Sequence, residues 1–195
     1  MNSQTFPQPG RDAASGWLKS YYFTRAAVAV VWFAAAFTVG KSSPPAAAAL
    51  LVAYPAWDAL ANFVDAQRSG GLKLNRSQAF NVAISTLATI AVAAALTRGL
   101  HAVMAVFGTW AILAGLFQLI TGVRRWKIGA QWVMILAGGQ SALVGAIFIK
   151  QAIGSATVGI TDIAPYAAFG ALYFLISAVW LTVAQARRHA SGGAA

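Results

Sequence analysis

Residues 100–127 read LHAVMAVFGTWAILAGLFQLITGVRRWK. From Ala102 to Val123 the chain runs for 22 residues without a charge, and Arg124, Arg125 and Lys127 then follow. As helix, at about 1.5 Å of rise per residue, such a run crosses roughly 30 Å of hydrocarbon. Five further apolar segments of similar length lie at 22–40, 46–65, 78–97, 130–150 and 164–185. The short polar stretches KSSPP, QRSGGLKLNR, RGLH, RRWKIG and QAIGSATVGITD separate them. The spacing predicts an all-α membrane protein of six transmembrane helices.

Composition agrees. Of 195 residues 59% are hydrophobic and 9% charged, where a soluble domain carries roughly a quarter charged. The lipid bilayer is therefore the first partner. The net charge of +10 is not a nucleic-acid signature, because the basic residues fall in clusters between apolar segments rather than on one face. Arg11, Lys19, Arg25, Arg68, Lys73, Arg76, Arg124, Arg125, Lys127, Arg187 and Arg188 fall on one side, and Lys41, Arg98 and Lys150 on the other. Positive charge marks the cytoplasmic side, so both termini are expected there.

The expected organisation is a cytoplasmic tail over 1–21, a six-helix domain over 22–188 and a disordered tail over 189–195. The first 20 residues carry no apolar run of the signal-peptide kind. Trp17, Tyr21, Tyr22 and Phe23 read as an aromatic belt at the membrane interface.

The even-numbered segments look related. YPAWDALANF from Tyr54 aligns with FGTWAILAGLF from Phe107, placing Trp57 on Trp110, and FGALYFLISAVW from Phe169 aligns with both. Arg25, Gln78 and Gln131 take matching places on the odd segments. Each repeat is two spans long, so the copies share one orientation and make three parallel-repeat hairpins.

On the fourth segment Gly108, Ala111, Gly115, Gln118 and Gly122 line one helical face. Small side chains let helix backbones approach, which drives association in lipid. The repeat carries this face to Gly170, Tyr173, Ser177, Trp180 and Ala184, and to Pro55, Asp58, Asn62, Asp65 and Ser69. A carboxylate facing lipid is costly, so the stripe is expected to point at protein. An exposed small-residue face would instead point to a homo-oligomer.

Asp58 and Asp65 are two of only four acidic residues, and there is no glutamate. Asp65 is expected to pair with Arg25, near in depth on the first helix. Asp58 lies about 10 Å deeper, where no basic residue is expected; Asn62, Gln118 and Gln140 are its candidate partners. Two readings of Asp58 stay open: a neutral acid that gives packing specificity, or a proton- or ion-contacting site. Pro55 removes the donor for the Leu51 carbonyl and predicts a kink. Gly138, Gly139, Ser141 and Gly145 around Gln140 predict close packing. His101, beside Arg98, is a conceivable pH sensor, whereas His189 reads as solvated.

There is no cysteine, which excludes disulfides and thiolate chemistry. Four aspartates and two histidines make a metal cage improbable, and no phosphate loop, nucleophile elbow or nucleotide fingerprint occurs. No enzyme activity, cofactor or metal is expected.

FGTWAILAGLFQLITGVRRWK, FGALYFLISAVWLTVAQARRH, QWVMILAGGQSALVGAIFI and YPAWDALANFVDA together resemble the short-repeat bacterial integral membrane family that includes the acid-resistance membrane protein HdeD. The resemblance spans residues 22 to 188, with Pro55, Asn62 and Ser177 standing where small glycine-type packing residues would be expected. It implies a six-helix protein of the bacterial inner membrane with a stress-related or structural role, and it supplies no catalytic residues. The alternative function is a small proton-linked transporter or channel that uses Asp58. A polar cavity reaching Asp58 from one side would favour that alternative, and a dry packed stripe would favour the first.

Overall fold

The computed structural model describes residues 9–124 and 132–192; within these, the side chains of 9–15, Gly122, Arg124 and 188–192 lie outside the description. Arg125, Lys127 and Gln131, named in the sequence reading, also lie outside the described residues.

The described chain is helical. Helix α1 spans Pro9–Ala35 and ends in a π turn, Ala36–Gly40; α2 spans Pro44–Arg68, α3 Arg76–Ala95, α4 Leu100–Arg124, α5 Trp132–Ala152 and α6 Ile160–Gly192. Each is long and apolar enough to cross a membrane, making this a multi-pass membrane protein. The predicted segments fall inside these helices to within a few residues. α1 begins at Pro9, inside the predicted 1–21 tail, and α6 runs on to Gly192.

The turns follow from local chemistry. Ser43 caps α2 by accepting from the Ala46 N–H at 3.4 Å, with prolines in the first turn, where the missing N–H costs nothing. Gly99, at φ +100°, adopts a backbone that other residues avoid, and so lets α3 turn directly into α4. The loop 69–75 is held by the Asn75 amide, which donates to the carbonyls of Ser69 and Gly71 at 2.8 and 2.9 Å.

The six helices form a ring. The most extensive packing is between α4 and α5, then α1 and α6, then α2 and α3; α1 against α2 and α5 against α6 meet only lightly. The closest pairs thus lie between the sequence hairpins rather than within them.

The predicted stripe explains the α4–α5 seam. A Cβ on Gly115 would stand 2.6 Å from the Gly138 carbonyl and the Ala142 nitrogen, and one on Gly108 would stand 2.8 Å from the Gly145 carbonyl. Ser141 Oγ donates to the Ala111 carbonyl across the same seam at 3.0 Å. Elsewhere threonine hydroxyls such as Thr109 and Thr182 bond to carbonyls one turn back, which satisfies them without a lipid-facing polar group.

The two ends of the ring differ. At the end carrying the α1–α2, α3–α4 and α5–α6 turns, Leu51, Val103, Met104, Phe107, Ile163 and Ala164 are fully or almost fully buried in one apolar cluster. We call this the plug. At the opposite end, which carries the 69–75 loop and most of the basic residues, the ring encloses a cavity.

Candidate functional site

The cavity holds about 480 Å³, within the range of about 300–1,000 Å³ typical of small-molecule sites. Its wall starts at Ser77, Thr121 and Val133 on the basic end and stops at Tyr54, Trp110, Val144 and Tyr166. Beyond that level lies the plug. Tyr54 meets Trp110 edge-on with ring centroids 6.0 Å apart, and Trp110 meets Tyr166 in the same way at 6.2 Å. These three rings make an aromatic floor.

Asp58 sits on the chamber wall just above this floor. Its Oδ1 accepts from Arg25 of α1, which forms an ion pair with it. Its Oδ2 accepts from Ser85 Oγ of α3 at 2.7 Å and from Asn62 Nδ2 at 3.1 Å. Ser85 in turn accepts from the Trp110 indole of α4 at 3.1 Å. One carboxylate therefore ties four helices together. Arg25 also donates to Tyr21 Oη at 3.0 Å and lies over the Phe174 ring of α6 at 4.3 Å.

This arrangement corrects the expected Arg25–Asp65 pair. Arg25 stands 17 residues before Ser42 and Asp58 stands 16 after it, whereas Asp65 stands 23 after. Counted from the turn in antiparallel helices, Asp58 is the residue at Arg25's depth. The expectation that no cation reaches Asp58 falls with it. Both carboxylate oxygens are engaged, Oδ1 by Arg25 and Oδ2 by Ser85 and Asn62. Asp65 instead accepts from Gln78 Nε2 of α3 at 3.0 Å.

The other predicted residues separate. Asn62 is a partner of Asp58, as expected, and also donates to the Asp58 carbonyl at 2.8 Å. Gln140 is not a partner: its Oε1 accepts from Tyr173 Oη of α6. Gln118 lines the chamber without a hydrogen bond to Asp58. Gly108 and Gly115 face α5, and Gly170 faces the Tyr54 hydroxyl at 3.6 Å from its would-be Cβ. Ser177 lines the chamber and donates to the Tyr173 carbonyl. The side-chain position of Gly122 lies outside the description. Trp180, placed on the stripe by the repeat, is 63% exposed and leaves it. His101 Nε2 lies 3.1 Å from the Ala156 carbonyl, joining α4 to the α5–α6 loop.

Ser85 and Trp110 were not singled out from the sequence as Asp58 partners. Span serines commonly bond to their own helix, so Ser85 carries no mark of its own. Trp110 is visible only as the repeat counterpart of Trp57. Near Pro55, the Trp32 indole donates to the Leu50 carbonyl at 2.7 Å, fixing α1 to α2 just where the proline removes a helical donor.

Ser85→Ala is expected to lower stability by about 1–3 kcal/mol, because it strips a donor from Asp58 and an acceptor from a buried indole together. Equilibrium unfolding in micelles measures this, and the Trp110 fluorescence should shift with it. An unchanged midpoint and spectrum would contradict the network.

No protein-family model, curated protein or solved structure matches this chain.

Proposed function

We propose that this chain is a non-catalytic small-solute carrier whose binding chamber stands open to the basic end of the bundle. The observation that carries this reading is the cavity of about 480 Å³ reaching Asp58 from one side and stopping at the aromatic floor. The stress-related or structural role, the first expectation from the sequence, would have been favoured by a dry packed stripe at Asp58. Dry packing is found instead between α4 and α5, away from the carboxylate.

The lightly packed seams support a carrier. The chamber lies between the α1–α6 pair and the remaining four helices. Arg25–Asp58 and Trp32–Leu50 bridge one seam; Tyr173–Gln140 and Tyr166–Ser141 bridge the other. Within the chamber a ligand can compete for the Arg25–Asp58 and Tyr173–Gln140 contacts, whereas at the plug the same seams close on apolar side chains. A rocking of α1 and α6 would then open the plug side, by rigid-body motion about a central site.

The finer topology belongs to the same proposal. Positive charge favours both termini, and hence the chamber mouth, on the cytoplasmic face of a bacterial inner membrane. The three-hairpin parallel repeat is favoured by the two-helix step at which the close pairs α2–α3, α4–α5 and α6–α1 recur around the ring.

The chain has no cysteine, so a single introduced thiol reports its own surroundings. Gln118→Cys is expected to react with a membrane-impermeant thiol reagent applied to the basic side and not from the other. Ala164→Cys, in the plug, is expected to react slowly from the opposite side as the carrier cycles. A folded Gln118→Cys variant inert from both sides would overturn the chamber. Inertness of Ala164→Cys from the opposite side would overturn alternating access.

A further inference from the structure

Among the described residues, the charged side chains on the chamber wall are Arg25, Asp58 and Asp65. In a protein of net charge +10 with four acidic residues, the described part of this wall carries two acids and one base. Arg25 is already spent on Asp58. Asp65 is only 7% exposed and receives one hydrogen bond, from Gln78. Among the described residues no cation pairs with it. Arg68, one turn further along α2, lies over the Trp17 ring at 4.7 Å instead. A carboxylate with so little of its surface exposed is favoured by a cation that joins it in the chamber.

The aromatic wall suits such a cation. Tyr21, Tyr22, Phe117 and Phe174 line the chamber together with Asp65, Tyr21 and Tyr22 within electrostatic reach of it. Ring faces attract a positive charge through the quadrupole of the π system, and do so more strongly where water is excluded. The chamber already shows this: the Arg25 guanidinium lies 4.3 Å from the Phe174 ring centre and 5.7 Å from that of Tyr21. An anion would find Arg25, the one cation among the described wall residues, engaged by Asp58. A neutral solute would leave Asp65 without a counter-charge.

From the chamber reading above, we infer that the ligand is a small organic cation, an alkylammonium or quaternary ammonium compound. Asp65 is its counter-ion and the neighbouring rings cover its apolar groups. Arg25 is the built-in competitor: a cation that also approaches Phe174 weakens the Arg25–Asp58 bridge across the α1–α2 seam, which couples occupancy to opening.

Choline and its uncharged isostere 3,3-dimethylbutan-1-ol separate charge recognition from the filling of an apolar space. Each is titrated against purified full-length protein in micelles, read by the fluorescence of Trp57 and Trp110 in the chamber wall. Saturable binding of choline is expected, weaker by about tenfold or more for the isostere, and weaker by a similar factor for choline on Asp65→Asn. Asp65→Glu keeps the charge and is expected to stay within a few-fold of the parent chain. Thermal unfolding of each variant checks that it is folded. No saturable choline signal, equal binding of the isostere, or a folded Asp65→Asn variant with unchanged affinity would each overturn the assignment, as would benzoate binding in place of choline. Thiol labelling at position 118 keeps the two failures apart: if it succeeds while choline does not bind, the chamber stands and its cation selectivity falls.

Discussion

Asp58→Ala is expected to cost about 3–5 kcal/mol of stability, the range found when one partner of a buried ion pair is removed and the other is left behind. The Arg25 side chain is 10% exposed and that of Asp58 is 20% exposed, so water in the chamber reaches only a small part of either. The loss also leaves Ser85 and Asn62 without their shared acceptor. The double change Asp58→Leu with Arg25→Met is expected to recover most of the loss, because no charge is then stranded. A double-mutant cycle followed by equilibrium unfolding in micelles measures both quantities. A loss below about 1 kcal/mol for the single variant would place the pair in the class of solvated surface bridges and contradict the burial described here.

Gly115→Val is expected to reach or exceed the upper end of the roughly 1–3 kcal/mol typical of overpacking. The obstacle is backbone on both sides: the first added carbon would stand 2.6 Å from the Gly138 carbonyl and 2.6 Å from the Ala142 nitrogen. Side chains can change rotamer, but two helical backbones can only move apart. Separation would release Gly108 from Gly145 and pull Ser141 from the Ala111 carbonyl. Gly139→Ala is the matched control. Nothing lies within 4 Å of its would-be Cβ, and alanine is the better helix former by up to about 1 kcal/mol. It is expected to be neutral or stabilising by the same unfolding measurement. A tolerated Gly115→Val would show that α4 and α5 do not approach this closely.

The sequence was most legible where one physical requirement dominates. Hydrocarbon demands long uncharged helices with internally paired backbones, so six spans could be read directly from apolar length. Small residues at spacings of three and four marked the α4 face, and the structure sets Gly108 and Gly115 against α5. The same reasoning put Asp58, Asn62 and Asp65 on a protein-facing stripe, where all three line the chamber. Pairing across helices was less legible. Arg25 was matched to Asp65 by nearness to the membrane edge, although counting from the Ser42 turn leads to Asp58. Ser85 joined the network only in three dimensions, since nothing in its neighbours distinguishes it from a serine bonded to its own helix.

By itself, then, the sequence determined that the chain spans a membrane six times, which helix faces are compact, and that its few carboxylates must be sheltered. These follow from composition and helical periodicity, which are local properties. Tertiary structure alone decided that the closest helix pairs lie between hairpins, that Arg25 serves Asp58 while Asp65 accepts from Gln78, and that, among the described residues, one half of the ring is solid while the other holds the cavity. Those outcomes depend on how helices far apart in the chain share a limited volume. There, side-chain size and backbone approach set the answer, and no local pattern records it.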